Sequence, residues 1–230
     1  TFDEVQKIYE HLDFKYLYDI FIVLGVECGM RPQEILGLKW DKVFAKYISI
    51  ESAVKDRKPG KFVIGSTKTK SSRRYWPLTP YVRYCLGLHR LNQLGRMGKN
   101  KNYVDNNIVV ADKNGNVPDL SYIGKYMKKL AKKAGVKHIP PKNLRATWAS
   151  LMNDLNVPLT IIQQGAGHEV GSTVTTKHYI SIYLESLRGA AMSLHDKLHG
   201  EDQESSFGQI RPNDHRFSVS LNNSDMETMS

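Results

Sequence analysis

Apolar residues keep helical spacing at both ends of the first two hundred positions and switch to strict alternation in between. Phe2, Val5, Ile8, Tyr9 and Leu12 follow the rhythm of one buried helical face, and Thr1 with Glu4 carries the signature of a capping box at its start. Leu17, Ile20, Phe21 and Leu24 predict a second helix from about Tyr16 to Cys28, closed by Gly29. Between Val43 and Leu78 the period falls to two. Strands are predicted at Tyr47 to Ile50, Phe62 to Ile64 and Tyr75 to Leu78, the last confined to an edge or end by Pro77. Turns fall at Asp56 to Lys61 and Lys68 to Arg74. Helical spacing returns from Tyr81 to about Leu94, before a basic loop from Gly95 to Asn102, a short strand at Asn107 to Ala111 and a turn at Asp112 to Asn116. From Leu120 to Ala134, Ile123, Met127, Leu130 and Ala131 line one side of a helix whose other sides carry Lys125, Lys128, Lys129, Lys132 and Lys133.

Three more helices follow. Pro140 and Pro141 suit the opening of the first, with Leu144, Trp148, Leu151 and Leu155 as its apolar stripe. Asn156 as cap and Pro158 in the first turn predict the second, broken by Gly165 and Gly167. The third can start at Ser172, carries Tyr179, and runs through Tyr183, Leu187, Ala191 and Leu194 to about Leu198. The expected fold is mainly α with a small antiparallel β-sheet, an α+β domain over residues 1–200. Residues 201–230 turn polar and acidic and are expected to be a disordered tail, in which alternating Phe217 to Leu221 could add a strand to a neighbouring subunit.

Charge narrows the partners. The net charge is +10 overall and +14 over residues 1–200. So basic a domain points to a polyanion, most commonly nucleic acid, with a merely soluble basic protein as the alternative. No apolar run is long enough to span a bilayer and no signal peptide is seen, so no membrane role is expected. Cys28 and Cys85, the only cysteines, lie in apolar-periodic segments and are expected as buried free thiols in a reducing, cytoplasmic setting.

Several polar residues invite chemistry. Lys142 and Arg145 lie three apart in a first helical turn, where unsatisfied N–H groups favour an anion. Arg31 leaves one helix just as Pro32 opens the next, with Glu34 one turn on to hold it through a carboxylate fork. His168 follows a helix break and Tyr179 sits inside a helix. Taken singly, each has a plain structural reading: solvated cations, a surface ion pair, a capping histidine and a packed tyrosine.

Taken together, they resemble the tyrosine recombinase (phage integrase) family. Its pattern of His-x-x-Arg, Gly-His and Thr-Thr-x-x-Tyr is matched by Lys142 to Arg145, Gly167-His168 and Thr175-Thr176-Lys177-His178-Tyr179. Its first box is matched by Cys28-Gly29-Met30-Arg31, Glu34 and the Leu36, Leu38, Trp40 series, and its hairpin lysine by Thr67-Lys68-Thr69. Lysine replaces histidine at position 142, and the His168 to Tyr179 interval is slightly long, which leaves Tyr183 as a second nucleophile candidate. The resemblance implies a site-specific DNA recombinase that cuts and rejoins strands through a covalent 3′-phosphotyrosine on Tyr179. Arg31 and Arg145 would hold the scissile phosphate, His168 and Lys142 would add donors, and Glu34 would orient Arg31. Lys68 would protonate the departing 5′ oxygen, with Lys70 able to substitute, and Arg73 and Arg74 would clamp backbone phosphates.

No metal or other cofactor is implied. Asp154 and Glu169 are the only carboxylates between Lys142 and Tyr179, too few for a two-metal nuclease site. Implied partners are double-stranded DNA, three further copies in a homo-tetramer on two sites, and accessory DNA-bending or excision factors. Members usually carry an additional N-terminal DNA-clamping domain. The alternatives are a type IB topoisomerase and a DNA-binding module without catalysis.

Overall fold

The computed structural model describes residues 1–58, 61–66, 73–167 and 177–200, by backbone alone for 56–58, 61 and 177–183. Helix α1 (Phe2–Tyr9) begins with the expected Thr1–Glu4 capping box. Helix α2 (Asp19–Glu27) has every residue buried, so it is the central rod of the core and not an amphipathic surface helix. Short α3 (Pro32–Gly37) leads through a 3₁₀ turn at Trp40–Lys42 into the strands.

Among the described residues between Val43 and Leu78, four strands stand where three were predicted. β1 (Tyr47–Ile50) pairs antiparallel with β4 (Arg74–Pro77), while β2 (Ser52–Lys58) pairs with β3 (Lys61–Ser66). Only Glu51 separates β1 from β2. The stretch the sequence assigned to a turn at Asp56 to Lys61 is strand at 56–58 and again at 61, and residues 59–60 lie outside the described residues. A register shift between Val54 and Asp56 marks the bend in the ladder.

Helix α4 (Pro80–Lys99) corrects the predicted loop at Gly95 to Asn102. Gly95 and Gly98 face open space, and Arg96 and Lys99 suit the negative end of the helix dipole, so the helix continues until Asn100 caps it. The strand expected at Asn107 to Ala111 is reduced to one bridge, Lys39 with Ile108, flanked by Trp40 N–H to Asn107 O (2.9 Å) and Val109 N–H to Leu38 O (2.9 Å). Buried Gln93 ties this segment to α4, accepting from Trp40 Nε1 at 2.7 Å and donating to the Ile108 carbonyl at 3.0 Å.

Helix α5 (Leu120–Lys133) buries Ile123, Met127, Leu130 and Ala131 as expected, and its Tyr126 hydroxyl closes on the Asp19 carboxylate of α2. After a 3₁₀ turn at Pro141–Asn143 come α6 (Leu144–Asp154), α7 (Leu159–Gly165) and α8 (Lys177–His199). Asn156 does not cap α7. It takes a left-handed φ of 58° behind α6, with Val157 N–H returning to Met152 O at 3.1 Å, so it terminates the earlier helix.

The far end of α8 is locked onto the first two helices. His199 Nε2 meets the buried Glu27 carboxylate at 2.7 Å, its ring stacks on Tyr81 at 3.7 Å, and Gln6 Nε2 donates to the Leu198 carbonyl at 3.1 Å. Cys28 and Cys85 are free and buried, and burial pushes both thiols up. Among the described residues, no helix is long and apolar enough to cross a membrane.

Candidate active site

Two rigid corners and one strand end converge on a single carboxylate. The first corner follows from Pro32, whose ring disfavours helical geometry in the residue before it, so Arg31 is extended (φ −69°, ψ 148°) and projects from the end of α2. Glu34, one turn on, accepts the Arg31 backbone N–H at 2.8 Å and its Nη1 at 2.8 Å. The second contribution comes from strand alternation. In β4, Arg74 and Trp76 point inward and are buried while Tyr75 is exposed. Inward-facing Arg74 forks onto Glu34, Nη1 to Oε1 at 3.2 Å and Nη2 to Oε2 at 2.9 Å.

Glu34 thus makes its guanidinium fork with Arg74, and with Arg31 only a single side-chain bond plus the backbone contact. The side chain of Arg74 is 4% exposed, so the phosphate-clamp role expected for it is corrected: it faces the protein interior. Arg73, one position earlier, is exposed as such a clamp requires.

Arg145 completes the cluster from α6. Its Nη1 donates to the Gly29 carbonyl at 3.1 Å and its Nη2 closes on the Ala166 carbonyl at the end of α7. Burial lowers its pKa to about 9, and the neighbouring charges of Arg31 and Arg74 push the same way against the opposing pull of Glu34. For Glu34 itself, burial pushes the carboxyl up, but the charge and bonds of Arg74, then the bonds from Arg31, outweigh it and hold it below the usual carboxylate range. It is an anion at neutral pH. Three guanidiniums around one carboxylate leave a net charge of +2, and Arg31, whose side chain is 39% exposed, opens that charge to solvent. Crowded cations of this kind are relieved by an incoming anion.

The floor of the cluster is aromatic. Trp76 of β4 and Trp148 of α6 meet edge to face at 5.5 Å, both fully buried. Gly29, at φ +57°, lies so close to Trp148 that a Cβ there would sit 2.5 Å from its ring. Gly165 abuts Trp76, Trp148 and Leu187 of α8. Tyr179 lies two turns before Leu187 on the same helix, about 12 Å along its axis.

The structure therefore brings together Arg31, Glu34, Arg74 and Arg145. Lys142 is exposed on the 3₁₀ turn and makes no ion pair with them among the described residues. Lys68, Lys70 and His168 lie outside the described residues, as do the side chains of Tyr179 and Tyr183. Sequence reasoning missed the inward face of Arg74 and the two carbonyls that hold Arg145. The Arg-Tyr-Trp alternation of β4 was the available signal for the first.

Residues 1–185 match the model of the phage integrase family. The chain belongs to that family. Among phage integrase relatives, it is 28% identical over 211 residues to a tyrosine recombinase XerC-like protein of Caldanaerobacter subterraneus subsp. tengcongensis, covering 84% of this chain and 53% of the relative. An integrase of Streptomyces ambofaciens is 27% identical over 170 residues, covering 69% and 43%. The chain spans about half the length of these relatives. Among solved structures, the Tn1549 transposon integrase in complex with circular intermediate DNA aligns with a TM-score of 0.54 at 17% identity, over 79% of this chain and 59% of that one. XerA recombinase aligns at 0.52 and 19%, over 83% and 60%. These likenesses bear out the expected fold, a mainly helical domain with small antiparallel β-elements.

Proposed function

We propose that residues 1–200 form the catalytic domain of a site-specific DNA recombinase, which cleaves one strand through Tyr179 and rejoins it to another 5′ end. The observation that carries this reading is the trio Arg31, Arg74 and Arg145 around Glu34, a pocket of net charge +2 in a chain of the phage integrase family. In it Arg31 and Arg145 grip the non-bridging oxygens of a scissile phosphate and stabilise the charge that grows as phosphorus becomes five-coordinate. Tyr179 attacks as the phenolate that the surrounding positive charge favours, its proton passing to solvent; its oxygen forms the new bond to phosphorus, the bond to the 5′ oxygen breaks, and Lys68, with Lys70 as its substitute, supplies the proton that oxygen takes. His168 and Lys142 add donors to the phosphate, and Arg73 grips the backbone nearby. Attack of a second 5′ hydroxyl on the phosphotyrosine reverses these steps, so the bond energy is conserved.

The partner is double-stranded DNA; the structurally similar Tn1549 transposon integrase was solved in complex with circular intermediate DNA. The complete protein acts as a homo-tetramer across two sites in the cytoplasm, with accessory bending or excision factors setting direction. Residues 201–230, polar and acidic in sequence, are not part of this domain.

The test selects a bound duplex from a randomised library, converts it to a nicked suicide substrate and resolves products on a denaturing gel. Wild-type protein should become covalently attached through Tyr179, identified by peptide mass spectrometry, and Tyr179→Phe should bind without attaching. An adduct on Tyr183 would move the nucleophile. Relaxed plasmid without recombinants would make the protein a topoisomerase, and binding without any adduct would make it a DNA-binding module.

A further inference from the structure

Strand pairing gives Arg74 a place that the cleavage chemistry described above leaves unexplained. Arg74 opposes Ile50 across the β1–β4 ladder, which fixes its inward orientation together with that of Trp76. Its guanidinium spends two N–H groups on Glu34, and Glu34 spends its two remaining acceptor directions on Arg31. The carboxylate is then saturated with four bonds, so its orientation, and that of Arg31, is set from both sides.

Charge gives the same residue a second task. Glu34 is needed to hold Arg31, yet a lone carboxylate at 2.8 Å would cancel the charge Arg31 offers to a phosphate. With only Arg31, Glu34 and Arg145 the pocket would carry +1; Arg74 raises it to +2. A phosphodiester brings one negative charge and its five-coordinate transition state approaches two.

We propose that Arg74 is a positioning residue for strand cleavage, acting through Glu34: it fixes the carboxylate that aims Arg31 and offsets the negative charge that carboxylate brings into the pocket. The inference rests on the recombinase reading above. Arg74 itself does not touch DNA, which distinguishes this role from that of a phosphate clamp. Its loss should slow the chemical step and leave duplex affinity nearly intact.

The experiment measures single-turnover covalent trapping on the selected nicked duplex, at saturating protein, for wild type, Arg74→Met, Glu34→Gln and the double variant. A gel-shift Kd and a urea midpoint are recorded for each. Arg74→Met should cleave about a hundredfold more slowly, about the cost of one transition-state donor because Arg31 loses its alignment, with Kd changed by no more than about threefold. Adding Glu34→Gln to Arg74→Met restores the net charge of +2 and should recover at least about tenfold in rate; it also replaces both buried ions, so it keeps the comparison folded if the single variant is not. A duplex with a neutral methylphosphonate at the cleavage position, which carries one charge fewer, should shrink the Arg74→Met penalty to under about tenfold. A single variant cleaving within about threefold of wild type, a double variant no faster than the single, or an equal penalty on both substrates would each overturn the inference and leave Arg74 a structural ion pair. Absence of trapping by wild type would instead remove the recombinase reading, and this inference with it.

Discussion

Gly29→Ala should damage this protein in two separable ways. Gly29 has φ +57°, where an L-residue pays about 1 kcal/mol for its Cβ. Its added methyl would also lie 2.5 Å from Trp148 Cδ2 and 2.6 Å from Cε3. Carbon contacts settle near 3.5–4 Å, so the ring or the backbone must withdraw by about 1 Å. Trp148 has little room, being fully buried and set against Trp76 at 5.5 Å. Overpacking of this kind costs about 1–3 kcal/mol, bringing the total to about 2–4 kcal/mol from a stability of order 5–15. Gly135 supplies the control, since it shares a left-handed φ of 66° but its Cβ would meet nothing within 4 Å. Gly135→Ala should therefore cost only about 1 kcal/mol, a fall of roughly 2–4 °C in Tm. Urea unfolding of both variants isolates the Trp148 contact as their difference. The Gly29 carbonyl holds Arg145 at 3.1 Å, so Gly29→Ala should also cut about a hundredfold more slowly even where fully folded, the cost of about 1 Å of misplacement. Equal stability of the two variants, within about 0.5 kcal/mol, would refute the reasoning.

Two further outcomes test the framework. Burial drives the His89 pKa down from 6.5 to about 4 despite the 2.8 Å bond from Nε2–H to the Val109 carbonyl. The unfolded chain takes up that proton first, so stability should fall as pH drops from 6.5 to about 4, by about 3 kcal/mol at ~1.4 kcal/mol per pKa unit. His89→Gln should flatten this loss in urea titrations at pH 7 and 4.5. Asp19, which burial pushes up to about 6, acts with the opposite sign in both proteins and cancels from the comparison; an unchanged pH dependence would rule His89 out. His199→Ala should cost about 3 kcal/mol by leaving the Glu27 carboxylate without its 2.7 Å partner, and Glu27→Gln in that background should recover at least half; strictly additive losses would contradict the pairing.

Much of the architecture could be read from local signals. The Thr1–Glu4 cap, the Arg31-Pro32 corner and the Leu144, Trp148, Leu151 stripe depend on neighbours within a few positions, and each stands as the sequence reading placed it. Arg74 was misread because Lys68 to Arg74 looks like a charged hairpin tip, whereas its burial depends on pairing with Ile50, 24 positions away. The grip on Arg145 was equally invisible, since backbone carbonyls at Gly29 and Ala166 leave no mark in side-chain chemistry. Asn156 suits either end of a helix, and only the path of the chain after α6 chose between them.

The clasp on Arg145 has a bearing on how such a protein is safely made. One guanidinium joins a carbonyl 116 residues upstream to another 21 residues downstream. A chain emerging from the ribosome displays Arg31, Glu34 and much of its cationic surface well before Arg145 and the tyrosine-bearing helix exist. On the proposed recombinase reading, such a partial chain binds DNA without cutting it, and cleavage waits until the last helices close the clasp.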